Sequence, residues 1–142
     1  MNAILNMVII RNKNAKRMII MSFSIYYSAE RKQAMTDEER KNVESIVNRY
    51  NTEYPFKRKT EDFCVYDSID DENIIFSGAT KLPGGDYKTM YAVAEYWLKC
   101  LSEITGVLSG CNWDVHFDDV DLILDADGWR FPTDEEYAQR NS

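Results

Sequence analysis

Residues 112–128, NWDVHFDDVDLILDADG, concentrate six aspartates and the only histidine of the chain, with no lysine or arginine among them. On an extended strand Asp114, His116 and Asp118 fall at i, i+2 and i+4, on one side and about 7 Å apart in succession. Two of them can share a cation, with neighbouring strands completing the shell. That chemistry describes a metal-dependent hydrolase centred on Asp114, His116 and Asp118. One histidine among aspartates is a thin ligand set, however, and the stretch lacks the twelfth-position glutamate of an EF-hand loop. The competing reading is a solvated acidic row on a sheet face, free to meet a basic partner.

Other candidate chemistry is sparser. Cys64 or Cys100 could pair with His116 as a thiol nucleophile, but Cys100 lies on an apolar helical stripe and reads as core. SGATKLPGGD, residues 77–86, sets glycines and a lysine ahead of a helix, an arrangement that invites phosphate. It lacks the GxxxxGK[ST] order, and Asp86 at the cap repels an anion. Trp97 and Trp113 are core by parity. Trp129 flanks a turn and is expected to be partly exposed and available for binding.

The elements that hold these residues follow from periodicity. MSFSIYYSAE alternates, with Phe23, Ile25 and Tyr27 on one side and Ser24, Tyr26 and Ser28 on the other, as in a half-buried strand. Thr36 and Glu39 form a capping box for a helix over 37–51, carrying Val43, Ile46, Val47 and Tyr50. Strands over 62–67 and 74–80 read as a hairpin. The strongest element is a helix over about 87–108, with Met90, Val93, Ala94, Trp97, Leu98, Leu101, Ile104 and Leu108 on one stripe and Gly110 just past its end. Asp125–Gly128 is a hairpin turn returning through WRFP. The expected fold is α+β: a two-layer sandwich of ferredoxin-like βαββαβ order, with an added C-terminal β-hairpin and two helices on one face of an antiparallel sheet.

Within the aspartate stretch the parity slips. Trp113, Val115 and Phe117 share a face, then Val120, Leu122 and Leu124 continue one residue out of step. A β-bulge at Asp118–Asp119 restores the phase; a tight turn there is the other solution, without the glycine such turns favour. With the bulge, the face opposite the helices collects Asp114, His116, Asp118 or Asp119, Asp121 and Asp125, joined by Tyr26 and Tyr66.

Bulk composition narrows the classes. The chain has 142 residues, 44% hydrophobic and 13% aromatic, which fits one folded domain rather than a disordered segment. Residues 1–20 carry four basic groups and no acid, which leaves 13 basic against 24 acidic groups in the remainder. An acidic body repels phosphates and membrane surfaces, so neither nucleic acid nor membrane is an expected partner. Three cysteines without CxxC spacing argue for a reduced, cytoplasmic setting. The first twenty residues place their charges after the apolar run, unlike a signal peptide. Met18 and Met21 offer later starts, and Lys16-Arg17-Met18 reads like a translated bacterial ribosome-binding stretch. The expected organisation is therefore a dispensable or mis-assigned extension over 1–20, one domain over 21–132 and a polar tail over 133–142. The leading functional expectation is a non-enzymatic acidic protein that docks a basic protein, as toxin-neutralising proteins and regulatory subunits do. Its docking residues are expected to be Tyr26, Tyr66, Asp114, His116, Asp118, Asp119, Asp121, Asp125 and Trp129. No cofactor is expected, and a homo-oligomer is compatible with the open face. A metal-dependent hydrolase and a small-ligand sensor are the alternatives.

Overall fold

The computed structural model describes residues 23–57, 60–67 and 71–140. The extension over 1–20, with its alternative starts, lies outside the described residues, as do the last two positions of the tail. The described chain is α+β. Its elements run β1 (Ser24–Glu30), α1 (Asp37–Thr52), β2 (Cys64–Val65), β3 (Ile74–Lys81), α2 (Tyr87–Val107), β4 (Asn112–Phe117), β5 (Val120–Asp121), β6 (Ile123–Asp125), β7 (Gly128–Arg130) and α3 (Asp134–Arg140). An antiparallel sheet has the strand order β2-β3-β1-β4-β5, and β6-β7 forms a separate two-stranded ribbon.

Alternation decides the faces of the sheet. Ile25, Tyr27 and Ala29 of β1, Phe76 of β3 and Val115 and Phe117 of β4 are buried, and they share one core with Val43 of α1 and the α2 stripe of Met90, Val93, Ala94, Trp97, Leu98, Leu101 and Ile104. α2 is the principal helix of this layer. α1 contributes one fully buried residue, and its start is fixed by the Thr36–Glu39 capping box. Arg31, largely buried, extends this start by pairing with Glu39 at 2.5 Å and donating to the Ser109 carbonyl at 2.8 Å. The loop before β1's partner helix is thereby tied to the turn after α2.

Among the described residues Tyr27 is the buried tyrosine of the core. Its hydroxyl donates to the Cys64 carbonyl at 2.6 Å and bonds the Thr80 hydroxyl at 2.8 Å. Burial holds this phenol well above its ordinary pKa. The ring passes over Gly78, its cross-strand neighbour. A Cβ at Gly78 would stand 2.0 Å from the Cys64 carbonyl oxygen and 2.6 Å from the Tyr27 ring, so glycine is required here by space and not by backbone angle.

The ribbon β6-β7 packs on α2. The Trp129 backbone N–H donates to the Ser102 hydroxyl and its indole N–H to the Thr105 hydroxyl, both at 2.9 Å. The polar tail is helical over α3. It starts with a second capping arrangement, Thr133 with Glu136, and Arg140 donates to the Asp121 carbonyl at 2.7 Å. Arg130 joins ribbon and tail by pairing with both Asp125 and Glu136. No described helix is long and apolar enough to cross a membrane.

Candidate functional site

The site is built from strand register. Across the sheet, Ala79, Tyr26, His116 and Asp121 stand opposite one another on β3, β1, β4 and β5; Ser77, Ser28 and Asp114 form the next row. Alternation turns both rows away from the helices, and among the described residues no element covers that face. Tyr26 is 41% exposed and Tyr66 51%. The Tyr66 backbone N–H donates to the Ser77 carbonyl at 2.8 Å, which extends the second row to β2's end.

Within this face the rings of Tyr26 and His116 stack, with centroids 5.0 Å apart and planes 21° from parallel. The His116 Nδ1 lies 3.3 Å from the Asp114 carboxylate. One side-chain ligand atom each from Asp114, His116 and Asp121 falls within 4.8 Å of the others. The stacked tyrosine limits imidazole rotation, and the two carboxylates add negative charge on either side. Beside them, a shallow depression of about 190 Å³ is floored by Ser28, Ser77 and Gly78 and flanked by Tyr26, Tyr66, Asp114 and His116.

Several expected members of the row are elsewhere. The parity slip is resolved by the tight turn, not by a bulge: His116 faces Asp121, Phe117 faces Val120, and Asp118-Asp119 is the two-residue connection. Asp118 takes φ +48°, a left-handed conformation that aspartate tolerates better than most residues. Its carboxylate turns back to accept from the Ser24 N–H at 3.2 Å while its own N–H donates to the Ser24 carbonyl. Burial pushes the Asp118 carboxyl above its ordinary pKa, partly offset by that N–H. Asp118 is therefore a turn residue and not a third member of the metal set; Asp121, delivered by the turn to a position opposite His116, takes that place. Asp119 is exposed at the turn itself. Asp125 leaves the row for the ribbon, where it pairs with Arg130 at 2.6 Å. Trp129 is 9% exposed and packs edge-to-face on Trp113. The expectation that it is exposed for binding is overturned, because Ser102 and Thr105 on α2 supply partners for both of its N–H groups. Ser28 and Ser77 were not singled out from sequence; their signal is smallness at polar-face positions between larger neighbours.

The remaining chemistry is quiet. Burial pushes all three thiols up, Cys100 to about 12, so none is poised as a thiolate nucleophile. Asp86 caps α2 by accepting from the Lys88 N–H and the Thr89 hydroxyl, occupying the helix end that a phosphate needs. Compared with protein-family models, with curated proteins and with solved structures, the chain gives no significant match.

Proposed function

We propose that this chain is a non-enzymatic binding protein whose open sheet face docks a basic protein partner, in the manner of a toxin-neutralising protein or a regulatory subunit. The observation that carries the reading is the sheet face, uncovered among the described residues, on which Asp114 and Asp121 flank a stacked Tyr26–His116 pair. Opposite fields steer encounter, while aromatic side chains supply affinity after contact. The net charge of −7 suits the same partner. A βαββαβ core with strands ordered β2-β3-β1-β4 supports the ferredoxin-like assignment, with β5, the ribbon and α3 as additions. That assignment fits a sheet with one helix-covered and one free face, but carries no activity by itself. Three free cysteines support a reducing, cytoplasmic setting.

The convergence of Asp114, His116 and Asp121 favours a second reading, in which a divalent cation sits on the same face. Two measurements separate the readings. A basic protein isolated from lysate on the immobilised chain is titrated against the native chain and against a triple Asp114→Asn, Asp119→Asn, Asp121→Asn variant, at low and high salt. Docking by charge predicts an association rate lowered several-fold in the variant, with the difference shrinking as salt rises. An unchanged rate at low salt overturns it. In parallel, thermal melts with zinc or manganese test the second reading. A rise in melting temperature that His116→Ala abolishes supports a cation site and displaces the docking reading as the primary role of this face.

A further inference from the structure

The depression between Tyr26 and Tyr66 has the shape and chemistry of a socket. Its floor is the row Ser77–Ser28, and its ends are Tyr66 on the β2 side and Asp114 on β4. Three strand spacings of about 4.8 Å separate the backbones at those ends, and only short serine side chains stand between them. Large residues at the rim and small ones at the centre leave a notch that reaches the sheet itself. Tyr26 forms one side. One face of its ring is covered by His116, and its cross-strand neighbour on the other side is Ala79, too small to cover the second. The hydroxyls of Ser28, Ser77, Tyr26 and Tyr66 take no part in hydrogen bonding among the described residues.

We propose that this notch receives one arginine side chain of the docked partner. This rests on the docking reading above and names the group that the face recognises. The lining offers what a guanidinium uses: an aromatic face to stack on, a carboxylate for a charge-assisted bond, and hydroxyl oxygens for the remaining N–H groups. It suits lysine less well. An ammonium is a compact, strongly hydrated charge with three donors, and it gains less from a flat wall. Asp114 is the charged member; its side chain is 69% exposed, so the bond it makes is at the rim, and stacking in the notch supplies the selectivity.

The test uses the purified chain and three blocked tripeptides, glycine–X–glycine, in which X is arginine, lysine or citrulline, the neutral isostere of arginine. Backbone amide shifts are followed by NMR during titration. The arginine peptide is expected to shift Tyr26, Ser28, Tyr66, Ser77 and Asp114 selectively, with millimolar affinity. Lysine is expected to bind several-fold more weakly and citrulline at least tenfold more weakly. Ser77→Leu, which fills the notch from an outward-facing position, should abolish the arginine shifts while preserving spectral dispersion; Asp114→Asn should weaken binding severalfold. Scattered shifts, equal binding of arginine and lysine, or equal binding of citrulline would each overturn the socket. The two proposals fail separately. If the peptides do not bind but the triple asparagine variant slows partner association, docking stands without the socket. If the arginine peptide binds in the notch but the partner ignores the aspartates, the notch recognises arginine without charge-steered docking, and the docking reading falls.

Discussion

Gly78 shows how one position can fix the centre of the sheet. It faces Tyr27 on β1 and Val65 on β2, and the Tyr27 phenol crosses it to reach the Cys64 carbonyl. A methyl group there collides with backbone on one side and a buried ring on the other. Neither can move cheaply, because the ring is hydrogen-bonded at its far end and stacked on Phe63 with centroids 4.5 Å apart. Gly78→Ala is expected to destabilise the fold by about 3 kcal/mol, the upper end of the usual overpacking cost. Urea denaturation measures this directly; a loss below about 1 kcal/mol would mean that Tyr27 relaxes out of its bonds. The sequence gives little warning of this position. A glycine in a strand reads as a bulge or a weak point, and only the cross-strand tyrosine reveals the reason for it.

At the level of elements, the β4–β5 hairpin separates what periodicity can decide from what it cannot. Alternation along Trp113–Phe117 places Asp114 and His116 correctly on the outward face, and the α2 stripe follows helical spacing throughout. The parity slip after Phe117 was visible, but a bulge and a two-residue turn both satisfy it. The choice depends on whether one aspartate can accept positive φ, and that depends on the Ser24 N–H waiting across the sheet. The ribbon had the same difficulty: a turn-flanking Trp129 looks exposed until Ser102 and Thr105, 27 and 24 residues away, provide its partners. The hairpin supports a sharp expectation. Asp118→Asn keeps a side-chain acceptor and the tolerance for positive φ, and it removes a charge that burial disfavours, so stability at neutral pH should be unchanged or slightly raised. Asp118→Ala loses the bond and pays the left-handed penalty, together about 2 kcal/mol. Asp119→Ala should cost less than Asp118→Ala. If the order of the two alanine variants is reversed in denaturant melts, the turn is wrongly placed.

For the molecule as a whole, two carboxylates act as anchors with the same pH signature. The Arg31 guanidinium, with the Thr36 N–H, lowers Glu39 to about 2; Arg130, with the Thr133 N–H, lowers Glu136 to about 2. Both lie below the ordinary value of 4.5. The stabilisation they give is therefore complete above that value and is lost as pH falls from about 4.5 towards 2. Stability should be flat down to roughly pH 5 and decline below it. Glu39→Gln with Glu136→Gln should be less stable than the native chain at pH 7 and nearly equal to it at pH 2. The Arg130–Glu136 pair is partly exposed and the Arg31–Glu39 pair largely shielded, so added salt should shrink the difference mainly through the first. A pH series of denaturant midpoints checks this; a gap that persists at pH 2 would assign the loss to packing rather than charge.

The central strand β1 has a consequence for how the protein is made. Its two neighbours, β3 and β4, come from later in the chain, and the second arrives about 80 residues after β1 ends. At synthesis rates of about 5–20 residues per second, roughly 4–16 s pass before β4 leaves the ribosome's decoding centre. During that interval the β1 residues Ile25, Tyr27 and Ala29 await the β4 edge they pair with in the fold. Among the described strands the sheet cannot grow outward as it is translated; it closes around β1 only after β4 has been made.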